Sequence, residues 1–235
     1  MRKATLAVVT GAAFLVISTA TPKGTPGATA VPATVPSATA EAEAAGKPAP
    51  QAEKPVEVNG FRSVRFGMTE EEVRKTAAKD LGIKPEALKA EDNPLERTRV
   101  LTARVADLLP KTGSARVAYT FGHSSRKLIQ VTIKWSKALD ASITSEHLLG
   151  NAGLLRDYFL QQGFKPENVV VNRPANGGIV VFRGLDPQNR MVLLTLAAEP
   201  QAGAEKRDPV WSELQIAYVA DPVKPDVYRI PPGQF

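Results

Sequence analysis

Residues 60–82, GFRSVRFGMTEEEVRKTAAKDLG, specify a short strand, a sharp corner and a capped helix. Thr69 is followed three residues later by Glu72, the spacing of a capping box. The Thr69 hydroxyl accepts from the backbone N–H of residue 72, and the Glu72 carboxylate accepts from the N–H of residue 69. Met68 precedes the cap and Val73 falls at the fourth helical position, the arrangement of a hydrophobic staple. Glu70, Glu71 and Glu72 complement the positive end of the helix dipole. Val73, Ala77 and Leu81 repeat every four residues as a narrow apolar stripe. Gly82 suits the left-handed residue that ends a helix. Upstream, Phe61, Val64 and Phe66 alternate imperfectly with Arg62 and Arg65, which predicts a bulged or kinked strand, and Gly67 permits the corner. Phe66, Gly67, Met68, Thr69 and Glu72 therefore form a structural corner. Three consecutive carboxylates on a helix point in different directions, so they do not make a metal or acid site.

Outward from this corner, the chain begins Met1-Arg2-Lys3 and runs without a charge from Ala4 to Ala20. Ser18-Thr19-Ala20 supplies the small residues of a signal-peptidase site, with Ala28-Thr29-Ala30 as a second candidate. A 17-residue run sits at the short end of what spans a bilayer, which favours a cleaved signal over residues 1–20 against a retained anchor. The expected location is periplasmic or secreted. Residues 21–55 are Ala, Pro, Thr and Gly with scattered Lys and Glu, and contain no aromatic residue. Such a segment buries too little surface to offset its ordering entropy and reads as a disordered, partly polyproline-like linker.

The chain has no cysteine, which excludes disulfides, a lipid-modified Cys, thiolate catalysis and Cys-based zinc sites. No later segment is apolar for long enough to span a bilayer. The formal charge is +6; without residues 1–20 Arg2 and Lys3 go, leaving 28 basic against 24 acidic residues, or +4. That mild excess is compatible with an anionic surface such as lipid, peptidoglycan or polysaccharide, and export argues against nucleic acid.

Residues 56–235 are expected to fold. After the first helix, 83–96 reads as a polar connection in which Pro85 begins one short helical turn. Strands are predicted over 98–108, 115–121 and 128–135, the last with Ile129, Val131, Ile133 and Trp135 alternating. Short loops between them make an antiparallel meander. Thr144 caps a second helix over 145–162, closed by Gly163, with Leu148, Ala152, Leu155 and Phe159 as its core face. Further strands are predicted over 169–172, 179–183, 190–197 and 210–219. Asp221 to Phe235, with four prolines, reads as an extended tail lying across the sheet. The expected fold class is α+β: antiparallel meanders with two main helices packed on one face. The echo between Phe121–Arg126 and Phe182–Arg190, each leading into an apolar strand, is compatible with two α-β-β-β halves, 56–140 and 141–235. It is equally compatible with any helix-plus-meander domain.

No chemistry-bearing motif stands out. His123 and His147 are the only histidines and have no second ligand at helical spacing. No nucleophile elbow or phosphate-binding glycine loop occurs. No catalytic residue, metal ligand or cofactor is therefore expected. Arg99, Arg104, Arg116, Arg126, Lys127 and Lys134 all fall within one meander. Arg99, Arg104, Arg116 and Lys134 are the candidates for a basic sheet face, which would receive an acidic protein or a polyanion.

The stretch FRSVRFGMTEEEV resembles the opening of a group of uncharacterised exported proteins of Gram-negative bacteria. Its aromatic–Gly–Met–Thr corner is also similar to that of small envelope modules, the beta-lactamase-inhibitor-like fold and the small lipoprotein of the outer-membrane assembly machine. The resemblance implies a helical pair on one face of an antiparallel sheet and a role in protein–protein contact. It covers about 15 residues, and the chain lacks the lipoprotein's N-terminal Cys. The expected function is a non-catalytic protein-binding module with an envelope protein as partner; the alternative is binding or hydrolysis of a cell-wall or small-molecule ligand.

Overall fold

The corner forms as its residues dictate. In the computed structural model, which describes residues 56–109, 112–199, 209–231 and 233–234, Glu70–Leu81 is helix α1. Thr69 donates its N–H to Glu72 Oε2 at 2.7 Å, and Glu72 returns its N–H to Thr69 Oγ1 at 3.3 Å. Gly82 closes the helix in the left-handed region at φ 65°. The imperfect alternation upstream becomes a two-residue hairpin, β1 (Gly60–Phe61) against β2 (Val64–Arg65), turned by Arg62 at φ 54°. Gly67, at φ 84°, then re-aims the chain. Gly67 donates to Leu128 O at 2.9 Å and Leu128 donates back to Met68 O at 2.8 Å, so the corner is stitched to the sheet.

Eight strands form one antiparallel sheet: β3 (Lys89–Asn93), β4 (Thr98–Val105), β5 (Ala115–Phe121), β6 (Leu128–Ser136), β7 (Val169–Ala175), β8 (Gly178–Leu185), β9 (Met191–Ala198) and β10 (Trp211–Val219). Helix α2 (Ser145–Leu160) separates the first four strands from the last four. The spatial order is β3-β4-β5-β6-β10-β9-β8-β7. Each meander thus runs inward from an edge, and the two final strands meet in the middle. Their register runs from Glu213 opposite Ser136 to Val219 opposite Gln130. The described residues belong to one compact unit.

Both helices cover the same face. Val73 and Ala77 from α1, and Leu148, Ala152, Leu155 and Phe159 from α2, share one buried cluster with Leu101, Tyr119, Val131, Ile133, Trp135, Phe182, Leu194 and Leu214. Phe159 stacks on Phe182 at 5.3 Å between centroids and meets Tyr218 edge-on at 6.4 Å. The α+β class with two helices on one face is what the periodicities predict. Each half carries four strands after its helix: the four predicted in the second half, and one more than the three predicted in the first.

The extra strand is β3, within the stretch read as a connection. Ala, Glu, Asp and Asn are poor strand formers, but β4 supplies the ladder and a charged edge discourages pairing with another chain. The opposite edge, β7, carries Pro174, which only an edge tolerates. The proposed echo between Phe121–Arg126 and Phe182–Arg190 joins non-equivalent elements, because Phe121 ends a third strand and Phe182 lies in a second. A closer repeat sits at the helix ends. Gly82-Ile-Lys-Pro-Glu-Ala-Leu88 and Gly163-Phe-Lys-Pro-Glu-Asn-Val169 share Gly, Lys, Pro and Glu. Both glycines have positive φ, and both segments form a single 3-10 turn, Pro85–Ala87 and Pro166–Asn168.

The expected signal (1–20) and linker (21–55) lie outside the described residues, as do Pro110 and Lys111 of the loop between the strands predicted over 98–108 and 115–121. The folded chain enters at Val58, whose N–H donates to Asp186 Oδ2 at 2.9 Å. Asp186 also accepts from the N–H groups of Gln188 and Arg190 and from Arg190 Nε, and its side chain is fully buried.

Two substitutions separate a local from a global restraint in urea unfolding. Thr69→Ala should cost about 1 kcal/mol, the value of one helix cap. Asp186→Ala strands a partly buried guanidinium and several N–H donors and should cost roughly 3–5 kcal/mol. Equal losses would contradict these roles.

Candidate functional site

Strand pairing decides which of the predicted basic residues share a face. Arg104 lies opposite Arg116 on β4 and β5, and Arg116 lies opposite Lys134 on β5 and β6. These three alternate with the core residues Ala103, Val117 and Ile133, so they stand on the face away from the helices. Arg99 does not join them. It lies opposite the core residue Phe121, and its Nε donates to Glu70 of α1 at 2.7 Å while Nη1 reaches Asp92 at 3.2 Å. Those two carboxylates hold the Arg99 guanidinium pKa above its ordinary value. An odd spacing of five from Arg104 places it on the opposite face of a strand. Arg126 and Lys127 belong to the β5–β6 loop.

Around the three cations the polar network is uneven. Lys134 Nζ pairs with Glu213 Oε1 at 2.9 Å. Arg104 Nη2 donates to Leu139 O at 2.6 Å. Asp140, next along, accepts from the Ser142 hydroxyl and from the N–H groups of Ser114 and Ser142, which with the Arg104 charge bring its carboxyl down to about 2. Arg116, between Arg104 and Lys134, is exposed and has no ion pair among the described residues. Like charges directly opposite in a sheet destabilise it.

One residue pair along the strands runs a row of short side chains: Thr102, Ala118, Thr132 and Ala217, each opposite the next across β4, β5, β6 and β10. The following row is Val100, Thr120, Gln130 and Val219. There Gln130 Nε2 donates to Thr132 Oγ1 at 2.9 Å. Gln130 Oε1 and Thr120 Oγ1 are buried without a hydrogen-bond partner among the described residues. In the second half the same face carries Val180, Leu193, Ala217 and Val219, buried outside the helix-side core, together with Arg183 opposite Leu193 and Arg173 opposite Val180. The helix-free face therefore carries cations in both halves, set among buried aliphatic residues in the second. The second half of this face was not predicted, because β8 and β9 carry aliphatic residues on both faces and give no clean period-2 signal.

The structural corner residues take no part in this face. Phe66 and Met68 pack against the core, and Thr69 and Glu72 spend their polar atoms on the cap. The two histidines are separate: His123 packs edge-on against Tyr228 at 5.5 Å, and the His147 N–H donates to the Thr144 cap at 3.2 Å. Among the described residues no group of three or more His, Asp or Glu is placed to hold a metal, and no helix is long and apolar enough to cross a membrane.

The tail expected across the sheet is anchored at the strand ends. Asp226 accepts from the N–H groups of Ser124 and Ser125 at 2.9 and 2.8 Å, and its carbonyl accepts from His123 at 2.8 Å. Gly122 makes this approach feasible: a Cβ there would stand 2.1 Å from Asp226 Oδ2. Two residues on, Tyr228 donates its N–H to Glu96 O at 2.8 Å and its ring lies 3.6 Å from the Arg97 guanidinium carbon.

Comparison with protein-family models, curated proteins and solved structures finds no match to this chain.

Partial burial pushes the Asp226 carboxyl up, but the donors on Ser125 and Ser124 outweigh it and leave it below its ordinary value. A depressed carboxylate stabilises the fold above its unfolded pKa and loses that contribution as pH falls through the folded one. The Ser124 and Ser125 amide resonances should therefore hold at neutral pH and move only below about pH 3.9, the ordinary Asp value. Movement near neutrality would contradict the anchor.

Proposed function

We propose that this chain is an exported, non-catalytic protein-binding module of the cell envelope, and that its partner docks on the sheet face away from the helices. The observation that carries the reading is the row Arg104–Arg116–Lys134. Three cations set opposite one another on adjacent strands cost stability, and the fold itself neutralises only part of that charge. An arrangement unfavourable in isolation is supported by what it does on binding. The resemblance of the FGMT corner to small envelope modules points to the same class of work, and the apolar run at residues 4–20 supports export.

The test is in-cell crosslinking of the tagged, exported chain, followed by mass spectrometry. A reproducible envelope protein should co-purify with the native chain and be lost from the Arg104→Glu, Arg116→Glu double variant, with circular dichroism unchanged. Only background at normal export, or capture that survives charge reversal, would overturn the reading.

A second reading draws on Thr120 Oγ1 and Gln130 Oε1, adjacent and without partners among the described residues. Such atoms suit a small polar ligand such as a cell-wall fragment. A rise in Tm with muropeptides that Thr120→Val abolishes would support it, and no shift would dismiss it.

A further inference from the structure

The geometry points to the chemistry of the partner, resting on the docking reading above: a protein segment that presents one carboxylate to Arg116 and lays short or apolar side chains over Thr102 and Ala118. Neighbouring strands stand about 4.8 Å apart, so the three basic side chains rise from adjacent positions. Two of the three are already satisfied within the chain. Lys134 is paired with Glu213 at 2.9 Å. Arg104 is tied to Leu139 O, and its charge contributes to holding down Asp140. With Glu213 and Asp140 counted, the cluster carries a surplus of one positive charge, centred on the exposed Arg116. A guanidinium between two other cations gains more than either neighbour from an incoming carboxylate, and its fork can accept one in a bidentate manner.

The charge balance of the cluster favours a polypeptide partner. A polyanion or an anionic bilayer gains affinity by engaging several uncompensated cations at once. Here Glu213 occupies Lys134, and the row beside the cations is uncharged: Thr102, Ala118, Thr132 and Ala217. One carboxylate with short neighbours is what a polypeptide supplies. Glu213 then acts as an internal competitor, limiting the positive potential that an incoming carboxylate meets.

A random 12-residue peptide library displayed on phage, selected against the folded chain, tests this directly. Enriched peptides should carry Asp or Glu beside small or aliphatic residues. A synthetic copy of the leading peptide should bind Arg116→Gln at least tenfold more weakly. It should bind Glu213→Gln several-fold more tightly, since that variant removes the competitor. Arg116→Gln should fold with an unchanged or higher Tm, because it relieves two like-charge neighbours. No enrichment, enrichment without carboxylates, or affinity indifferent to Arg116→Gln would overturn the inference. So would co-sedimentation with phosphatidylglycerol vesicles that depends on Arg116 in the absence of peptide binding, which would assign the face to a lipid surface. A cellular partner that Arg104→Glu, Arg116→Glu releases but Arg116→Gln does not would leave the docking reading standing and remove this one.

Discussion

The pairing of β6 with β10 is the constraint on which the structure depends. Each meander alone would be a four-stranded sheet with one helix and two raw edges. Joining the last strands converts two of those four edges into the centre of an eight-stranded sheet, continuous from Gln130 opposite Val219 to Ser136 opposite Glu213. The same pairing brings the two helices to one side, because the core residues Ile133 and Ile216 stand opposite each other on the helix face. It also sets Lys134 beside Glu213, so the electrostatics of the helix-free face depend on that register. A shift by one residue would send Lys134 into the core and Ile133 out of it.

The folded chain is closed at both ends by carboxylates. Asp186, in the β8–β9 turn, gathers Val58, Gln188 and Arg190 where the described chain enters. Asp226, in the tail, reaches back to the β5–β6 loop where the chain leaves the sheet. The chain has no cysteine, and these hydrogen-bonded carboxylates restrain the first and last described segments as a disulfide does in other folds. They differ in accessibility: Asp186 is inside the fold, whereas Asp226 is held by loop amides near solvent.

Legibility in the sequence followed the physics of each element. The α1 corner was readable because cap, dipole and left-handed terminus all lie within 14 residues and agree. The central strands were readable because β5 and β6 alternate. β3 was not, since an edge strand held by its neighbour needs no strand-forming residues of its own. The Gly-x-Lys-Pro-Glu similarity after each helix was not read from the sequence; it stands out once both segments are seen to form a positive-φ glycine followed by a single 3-10 turn. For the site, Arg104, Arg116 and Lys134 were brought together by odd–even arithmetic over three strands, and the same arithmetic removes Arg99. Glu213, some 80 residues away in sequence from Lys134, could not be paired with it before the strand order was known.

The central claim is that the helix-free face is the working surface. A photo-crosslinking amino acid placed at Ala118, on that face, and separately at Lys75, on the exposed side of α1, tests it in one experiment. The account predicts a discrete crosslinked product in the envelope from position 118 and none from position 75. A product from position 75 alone, or equally from both, would contradict it.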